Sequence, residues 1–319
     1  MDFRQIKYFV AIVDCGSLTK AAVYLGVAQP ALSQQLSHLE AEYKAQLLVR
    51  SSQGVKPTAV GQVLYRHARI VLRQLEQARE EMQTGMLGEA GVVAIGLPTT
   101  VTLPLAIPLL RAVRDRYPGI RLQIFESLSG YLSELLANGR LDLAVLFRDM
   151  ETRSISLQTL VHEQLFLIGD RGLSDEAKAR DVCALSELDG VPLVLPSMAH
   201  DLRLTLERAF AQQGVAANTV ADVDSLPTMV SAALDGIACT ILPASALLHF
   251  NGGGPIPRAR RIISPDIRRP ISLCWQETSP RSPAAIAVQA LIISLVPELV
   301  GDGRWPGVLV PQDKPIGER

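Results

Sequence analysis

Apolar positions at helical spacing open the chain. A first helix is predicted over residues 3–13 by a stripe that consists of Ile6, Phe9, Val10 and Val13. A second helix is predicted from Ser17 to about Leu25, and a third begins at Gln29-Pro30, because proline fits the first turn of a helix. The third helix turns leucines inward and polar residues outward. Two helices joined by a tight turn, with a polar outer face on the second, are typical of a helix-turn-helix.

A hairpin and a long helix are predicted next. Two β-prone segments, 47–50 and 55–58, flank Ser51-Ser52-Gln53-Gly54 and predict a wing. Thr58 can cap a helix that runs without proline to about residue 85–88. Apolar residues in this helix alternate by four and three, which is coiled-coil spacing. We expect them to pair two copies of the chain, with a core stripe inside one domain as the alternative; they are Leu64, Ala68, Val71, Leu75, Ala78 and Met82.

From residue 91 the pattern alternates between strands and helices. Strands are predicted at 92–97, 121–125, 141–147, 192–195, 220–223 and 237–242. Helices are predicted near 102–116, 129–138, 200–213 and 226–235. Such alternation implies largely parallel sheets with covered faces. Two longer extended runs, 160–169 and 261–275, are expected to cross between two lobes, and the Gly- and Pro-rich end from residue 303 is expected to be a tail.

The length, composition and charge of the chain limit the number of domains and the kinds of partner that can be expected. A length of 319 residues argues for two or three compact units, and 48% hydrophobic residues exclude global disorder. The net charge of −1 does not by itself favour a nucleic-acid partner. Residues 1–90 hold ten Lys/Arg against eight Asp/Glu, so their excess of positive charge is small. If this part binds DNA, its specificity must come from contacts in the grooves rather than from charge.

The sequence gives no support for an enzyme, a metal site or a membrane protein. Four widely spaced cysteines without zinc-like spacing are read as buried thiols in a reducing compartment. The N-terminus does not resemble a signal peptide, and no uninterrupted apolar stretch approaches 18 residues, so a cytoplasmic location is expected. Ser17-x-x-Lys20 matches an acyltransferase signature only by coincidence, because its companion motifs are missing. The five histidines lack metal-ligand spacing, and no cofactor is expected.

The chain resembles the LysR-type transcriptional regulators over essentially its whole length. The DNA-binding pattern is carried by FRQIKYFVAIVDCGSLTKAAVYLGVAQPALSQQLSHLEAEYKAQLLVR, and the junction of wing and long helix by VKPTAVGQVL. The effector-domain pattern is carried by DRYPGIRLQI, GRLDLAVLF and DGIACTILP. Within the family, the nitrogen-assimilation-control branch is most similar, through YFVAIVD, AQPALSQQL and YRHARIVLRQ. One departure is that Arg50 is followed by Ser-Ser-Gln where family wings commonly carry basic residues.

The resemblance implies a fold and an organisation. The fold class is α/β with an N-terminal all-α winged helix-turn-helix, a long linker helix, and a two-lobed α/β effector domain resembling periplasmic binding proteins. The expected domains are the DNA-binding head at 1–58, the linker helix at 59–90 and the effector domain at 91–302, with a tail at 303–319. Lobe I would comprise 91–161 and 266–302, and lobe II 162–265. The expected partners are double-stranded DNA and further copies of the chain, as a homodimer or tetramer.

The third helix carries the candidate DNA-binding chemistry. The amides of Gln29 and Gln34 suit bidentate pairing with adenine, Ser33 suits a base edge or a phosphate, and Pro30 suits a thymine methyl. A solvated helix face is the alternative for each residue. Arg50 has the alternative of an ion pair with Glu40 or Glu42, and Lys56 that of a solvated wing residue. The candidate set is Ser17, Thr19, Gln29, Pro30, Ser33, Gln34, Ser37, Arg50 and Lys56.

Small hydroxyl residues follow the predicted strands of the effector domain. They are Thr99, Thr100, Ser127, Ser129, Ser197 and Ser225. Ligands of open α/β sheets bind beyond the carboxyl ends of strands, so these residues are candidates for binding a small organic anion between the lobes. Helix capping is the alternative for each of them. The family resemblance points to Thr100, Ser127 and Ser197, with Phe147 on a wall. A regulator without an effector, and a cytoplasmic small-molecule binding protein, are the alternative functions.

Overall fold

The computed structural model of the chain describes residues 1–52, 54–84, 90–152, 154–250, 258–277 and 280–311. Its N-terminal head is a winged helix-turn-helix, as predicted. The elements of the head are α1 (Phe3–Cys15), α2 (Leu18–Leu25), α3 (Gln29–Tyr43), β1 (Leu48–Ser51) and β2 (Gly54–Pro57). Asp2 caps α1 by accepting a hydrogen bond from the Gln5 amide, and Gly16 ends it with a positive φ of 60°. The linker helix α4 follows at Ala59–Thr84.

The head is held together by one apolar core. Phe9 and Ile12 of α1, Ala21 of α2, and Leu32 and Leu39 of α3 are almost completely buried in it. Each helix contributes residues three or four positions apart, which is why the helical stripes seen in the sequence face the same interior. Burial of the leucines on α3 leaves the opposite face of that helix to solvent.

Residues from 91 onward form the two-lobed α/β domain. Its strands are β3 (Gly91–Leu97), β4 (Ile120–Glu126), β5 (Leu143–Leu146), β6 (Ile155–Ile168), β7 (Val182–Ala184), β8 (Pro192–Leu195), β9 (Asn218–Asp222), β10 (Thr240–Pro243), β11 (Ala259–Ile263), β12 (Arg268–Gln276) and β13 (Val308–Leu309). Its α-helices are α5 (Thr99–Arg116), α6 (Ser129–Ala137), α7 (Asp175–Ala179), α8 (Asp201–Gln213), α9 (Leu226–Leu234) and α10 (Pro283–Gly301). Short 3₁₀ helices lie at Leu185–Leu188 and Ala244–Phe250.

Long strands connect the lobes. Strand β3 pairs in parallel with β4 and β5 in lobe I, and β8 pairs in parallel with β9 in lobe II. Strand β6 runs through both lobes, where it pairs antiparallel with β12 on one side and with β10 and β11 further along. Within the described residues, nine strands form one mixed sheet. The expectation of largely parallel sheets was therefore wrong, because the chain leaves lobe I on β6 and returns on β12 in the opposite direction.

The second predicted crossing segment, 261–275, is divided in two. Strand β11 ends at Ile263, and β12 begins only at Arg268. Pro265, which has no N–H to donate to a sheet, lies in the interval between them. Only β12 makes the crossing, since it alone of the two pairs with β5 of lobe I.

The predicted tail is also corrected in part. The indole of Trp305 is buried in the lobe I core with 1% of its surface exposed. Strand β13 then pairs with β6, placing Val308 opposite Glu163. Residues 303–309 therefore pack on the effector domain, because the aromatic side chain buries apolar surface that a free tail would leave in water. The last part of the predicted tail, 312–319, lies outside the described residues.

One described helix, α10, is long and apolar enough to cross a membrane by length and composition alone. In the structure it packs on α5 and buries its apolar residues in the core of lobe I. These are Ala284, Ala285, Val288, Leu291, Ile292, Val296 and Leu299. Packing within the domain accounts for its apolar composition.

Candidate functional site

The outer face of α3 carries the predicted DNA-contacting residues. Gln29, Pro30, Gln34 and Ser37 are exposed, and Ser33 is half-buried. The helix is preceded by Ala28, which makes no side-chain capping hydrogen bond, so the first N–H groups of α3 have no side-chain partner at their cap. This end of α3 can therefore donate backbone N–H groups to a phosphate while its polar side chains reach past it.

Helix α2 supplies further polar groups to the head. Ser17 caps α2, with its Oγ accepting from the Lys20 amide at 3.4 Å, and Thr19 is exposed in the first turn. Lys20 is also exposed there and was missed as a candidate. A cation in the first turn opposes the helix dipole, so Lys20 is locally unfavourable. That cost was the signal in the sequence that could have marked Lys20 as a further candidate.

The wing is fixed to α3 by one carboxylate. Glu40 Oε1 accepts hydrogen bonds from the backbone amides of Leu47 at 2.8 Å and Leu48 at 3.2 Å. Glu42 instead binds the N-terminal ammonium group at 2.6 Å. Neither is an ion-pair partner of Arg50, whose Nη2 donates to Ser33 Oγ at 3.4 Å. The structure therefore places Arg50 beside the outer face of α3 rather than in the alternative salt bridge, and Lys56 is exposed on the wing.

The coiled-coil residues of the linker helix divide into two groups. Ala68 is 2% exposed in the head core, and Leu64 packs against the same core. These two residues are corrected from dimerisation to core, because the start of α4 lies against α1. Further along, Val71 is 44% and Met82 76% exposed, and Leu75 and Ala78 are exposed as well. Two exposed residues near the start of the helix, Val60 and Val63, were missed.

In lobe I, the hydroxyl residues gather at one edge of the sheet. Leu97 and Glu126 are neighbours in the parallel pairing of β3 and β4, so the residues that follow these strands come together. Thr99 Oγ1 donates to Glu126 Oε1 at 2.8 Å, and the Ser127 amide donates to the Leu97 carbonyl at 3.4 Å.

Helix capping does not account for the hydroxyl residues of lobe I. The residues before α5 and α6 are Pro98 and Leu128, and neither makes a side-chain capping bond. Thr99 and Thr100 lie inside the first turn of α5, and Ser129 begins α6. The N-termini of both helices therefore keep N–H groups that could meet an anion.

In lobe II, the candidate hydroxyl groups already form hydrogen bonds within the protein. Ser197 donates to Asp224 from its amide at 2.8 Å and from its Oγ at 2.9 Å. The Ser197 amide holds the pKa of Asp224 below its ordinary value, with help from nearby His200. Ser225 caps α9 by accepting from the Thr228 amide, so the capping alternative accounts for it. Asp224 was missed by the sequence reading, and its negative charge disfavours an anion at Ser197.

Phe147 is half-buried and is covered by an arginine. The guanidinium carbon of Arg269 lies 3.5 Å from the centre of the Phe147 ring, in cation–π contact. Arg269 also pairs with Glu163, and both side chains are buried. Burial raises the pKa of Glu163, and the charge of Arg269 opposes that rise. Arg148 Nη1 is buried without a hydrogen-bond partner among the described residues. Arg269 was not anticipated, because its position depends on pairing between β12 and β6.

The cysteine thiols are buried, as predicted, except at Cys15. Cys183, Cys239 and Cys274 are buried, whereas Cys15 is only partly so. Burial raises the pKa of Cys183 and of Cys239 to about 11 and that of Cys274 to about 12. These three thiols stay protonated at neutral pH and are poor nucleophiles.

A winged helix-turn-helix joined by a long helix to a two-lobed mixed α/β domain defines a class of bacterial regulators. In this class the DNA-binding head and the effector domain belong to one chain. The family model of the bacterial regulatory helix-turn-helix proteins of the lysR family matches residues 3–62, and the LysR substrate binding domain matches residues 87–297. The chain belongs to the LysR family of transcriptional regulators. Members of this family regulate transcription, so the prediction that the chain is not an enzyme is confirmed.

Individual relatives agree with this assignment. The chain is 37% identical over 305 residues to the nitrogen assimilation regulatory protein nac of Escherichia coli (strain K12), covering 95% of this chain and 98% of that protein. The structure is similar to full-length OxyR from Pseudomonas aeruginosa, with a TM-score of 0.76, 24% identity and coverage of 98% and 99%. It is also similar to full-length CbnR complexed with its target DNA, with a TM-score of 0.53, 24% identity and coverage of 93% and 99%. The resemblance to the nitrogen-assimilation branch is confirmed.

Proposed function

We propose that this LysR-type regulator binds a two-fold-related DNA site as a homodimer or a dimer of dimers, with one α3 in each of two successive major grooves. The observation that carries the proposal is the outer face of α3, where Gln29 and Gln34 are exposed above a fully buried row of leucines. A recognition helix needs such a face, because base edges are read by side chains free of contacts within the protein. CbnR, whose structure was solved with its target DNA, has the same fold.

Contacts from the rest of the head would orient α3 in the groove. Ser33, Pro30 and the N–H groups at the start of α3 suit the backbone and thymine methyl groups beside the reading amides. Ser17 and Thr19 on α2, together with Arg50 and Lys56 on the wing, suit phosphates on either side. Because the head is only slightly basic, we infer that binding to arbitrary DNA is weak and that paired half-sites supply the affinity.

Self-association is assigned to the exposed face of the linker helix. Val71, Leu75, Ala78 and Met82 share this face, and a partner helix would remove them from water. Val60 and Val63 are also exposed, on the first turns of the same helix. Pairing along this face brings two heads together, as a two-fold DNA site requires.

A small organic anion is the proposed effector, bound at the edge of lobe I. Thr99, Thr100, Ser127 and Ser129 surround two helix N-termini without side-chain caps. Phe147 lies under Arg269, and Arg148, whose Nη1 is buried, supplies further positive charge. Thr99, Ser197 and Ser225 are weaker candidates, because Glu126, Asp224 and Thr228 respectively already hold them. Regulation without an effector is the alternative, favoured if a broad panel of carboxylates leaves the DNA footprint unchanged.

The domain boundaries and the location belong to the same proposal. The proposed units are the head at 1–58, the linker at 59–90, and two lobes divided at 161 and 265, with lobe I extended to residue 309. A regulator that reaches bacterial DNA acts in the cytoplasm, which is the proposed location.

The test replaces the two reading amides. In Gln29→Ala/Gln34→Ala, the preference for the specific site over random DNA should fall by about 1–3 kcal/mol per glutamine, since each bidentate contact to adenine contributes that much. Binding is measured by fluorescence anisotropy with labelled specific and random duplexes at one salt concentration. The matched control, Gln212→Ala/Gln213→Ala, makes the same change on exposed positions of α8 and should leave both affinities unchanged. Intact specificity in the first variant, with folding retained, would contradict the assignment of α3.

A further inference from the structure

A cavity lies away from the strand ends. It has a volume of about 600 Å³ and is bounded by the head, the linker helix and lobe I. Sites for small molecules typically have volumes of roughly 300–1,000 Å³, so this one has room for an organic ligand. Its lining includes Phe3, Val10 and Leu72, and it reaches Leu75 of the face proposed for self-association, but it includes none of the hydroxyl residues proposed for the effector. The cavity is therefore distinct from the site at the edge of lobe I.

The lining of this cavity is rich in positive charge. Among the described residues, six basic and three acidic side chains line it. The basic residues come from all three bounding parts: Lys7 of α1, then Arg69, Arg73 and Arg79 of α4, then Arg121 and Arg140 of lobe I. An anion held here would touch the head, the linker helix and the effector domain at once.

Two of the three acidic residues already form ion pairs with arginines of the cavity. Asp14 accepts from the Tyr65 hydroxyl and pairs with Arg69 at 3.1 Å. Asp142 pairs with Arg73 and also accepts from the Ala94 amide at 2.8 Å. These carboxylates offset the charges of Arg69 and Arg73. The remaining basic residues of the cavity have no ion pair within the described part of the chain; they are Lys7, Arg79, Arg121 and Arg140.

The paired arginines also show that positive charge is crowded here. Burial lowers the pKa of Arg73, and the nearby charge of Arg69 lowers it further, against the pull of Asp142. The Nε of Arg69 is buried and has no hydrogen-bond partner among the described residues. A buried donor without an acceptor is costly, and an anion would relieve both features.

The same cavity lies beside the contacts that dock the linker helix on lobe I. Arg73 Nη1 donates to the Gly139 carbonyl at 3.0 Å, and Gln62 donates to Asn138 Oδ1 at 3.4 Å. Gln74 donates to the Pro280 carbonyl at 3.1 Å. A ligand that bridges the two sides of the cavity binds the docked arrangement more tightly than an undocked one, and so increases its population.

We propose that this cavity binds a small organic molecule with at least two negative charges, in the class of phosphate esters and di- or tricarboxylates. Binding there stabilises the docked arrangement of the linker helix and lobe I. The apolar side chains of the lining would contact the body of the ligand, and Lys7, Arg79, Arg121 and Arg140 its charged groups. The binding site stands independently of the proposed DNA function; only its effect on the heads depends on that function.

The test measures anion binding by the full-length protein. Citrate and pyrophosphate are titrated separately by isothermal calorimetry, with potassium chloride used to hold the ionic strength constant, because screening alone changes surface charge effects. Saturable binding of at least one probe is expected. Arg121→Gln/Arg140→Gln should weaken it at least about tenfold, since each charge-assisted hydrogen bond contributes that much or more. Arg111→Gln/Arg116→Gln removes the same charge from exposed positions of α5 outside the cavity and should leave binding unchanged.

Each outcome has a definite meaning. Preference for citrate or for pyrophosphate assigns the carboxylate or the phosphate class. Absence of binding to both probes, or an equal loss in the two double variants, overturns the proposal. So does a shift in the sedimentation mass of Arg121→Gln/Arg140→Gln without a change in anion binding, which would make the cavity an interface between copies. Affinity for specific DNA without any probe should be retained in this variant, which separates this proposal from the proposed DNA function.

Discussion

At the scale of single residues, the junction of wing and linker helix depends on Gly61. A Cβ atom at this position would overlap the carbonyl oxygen of Leu47 and press on the Pro57 side chain. The same Leu47 carbonyl accepts from the Thr58 amide at 2.9 Å, and Thr58 Oγ1 caps α4 by accepting from the Gly61 amide at 3.0 Å. The backbone of the wing and the first turn of the helix therefore approach each other so closely that only glycine fits.

Gly61→Ala should destabilise the head. The added methyl group must displace backbone rather than a flexible side chain, and overpacking of this kind costs about 1–3 kcal/mol. We expect a lower melting temperature for the head and weaker DNA binding, measured by differential scanning calorimetry and by anisotropy. The control is Gly130→Ala in α6, where nothing lies within 4 Å of the added Cβ. It should leave stability unchanged or raise it by up to about 1 kcal/mol. Equal stability of the two variants would contradict this account.

The sequence predicted some residues of the sites and not others, for a physical reason. Thr58 as a cap and the outward row on α3 depend on neighbours within one or two turns, and both were found. Gly61, Asp224 and Arg269 owe their roles to contacts with Leu47, Ser197 and Phe147, which are 14, 27 and 122 positions away in the chain. No local pattern carries such information. Lys20 was the exception, because its unfavourable position in a first turn was visible in the sequence.

At the scale of elements, the linker helix changes its surroundings along its length. Helix α1 of the head packs against the first half of the linker helix and covers only the residues on that side. Leu64, Ala68 and Leu72 face the head core, whereas Val71, Leu75 and Met82 are exposed. The sequence pattern located the apolar face correctly but could not show where one neighbour ends and another begins.

Charges placed on the exposed part of this face should separate the copies. Val71→Glu/Ala78→Glu puts two carboxylates one heptad apart where a partner helix is proposed, and burying them unpaired is costly. Sedimentation equilibrium should show the monomer mass, and affinity for a two-fold DNA site should fall. The control, Val23→Glu/Ile237→Glu, alters exposed apolar positions of α2 and lobe II and should keep the mass of wild type. An unchanged mass for the first variant would refute self-association along this face.

The ends of strands were predicted correctly where they depend only on the local sequence pattern. Strands β3 and β4 were predicted within one residue of their ends, because each is a continuous run of strand-forming residues between turns. The antiparallel pairing of β6 with β12, and the two-residue β13, could not be predicted. Both depend on which distant segment lies alongside, and β13 is too short to produce a pattern.

At the scale of the whole molecule, three parts meet around the linker helix. Its first turns belong to the head core, Arg73 and Gln74 attach its middle to lobe I, and its exposed face is left for a partner. A change in lobe I can therefore reach the head through one rigid element. This arrangement links the proposed anion sites to the spacing between two DNA-binding heads.

The central claim is that paired α3 helices read a two-fold DNA sequence. The most direct test is selection of bound sequences from a random duplex pool by the full-length protein, followed by DNase footprinting of the enriched duplexes. We expect an interrupted palindrome whose half-sites lie about one helical turn, or a multiple of it, apart, protected on one face of the duplex. Enrichment of no sequence over random DNA, by protein that is folded and dimeric and with or without citrate and pyrophosphate, would contradict it.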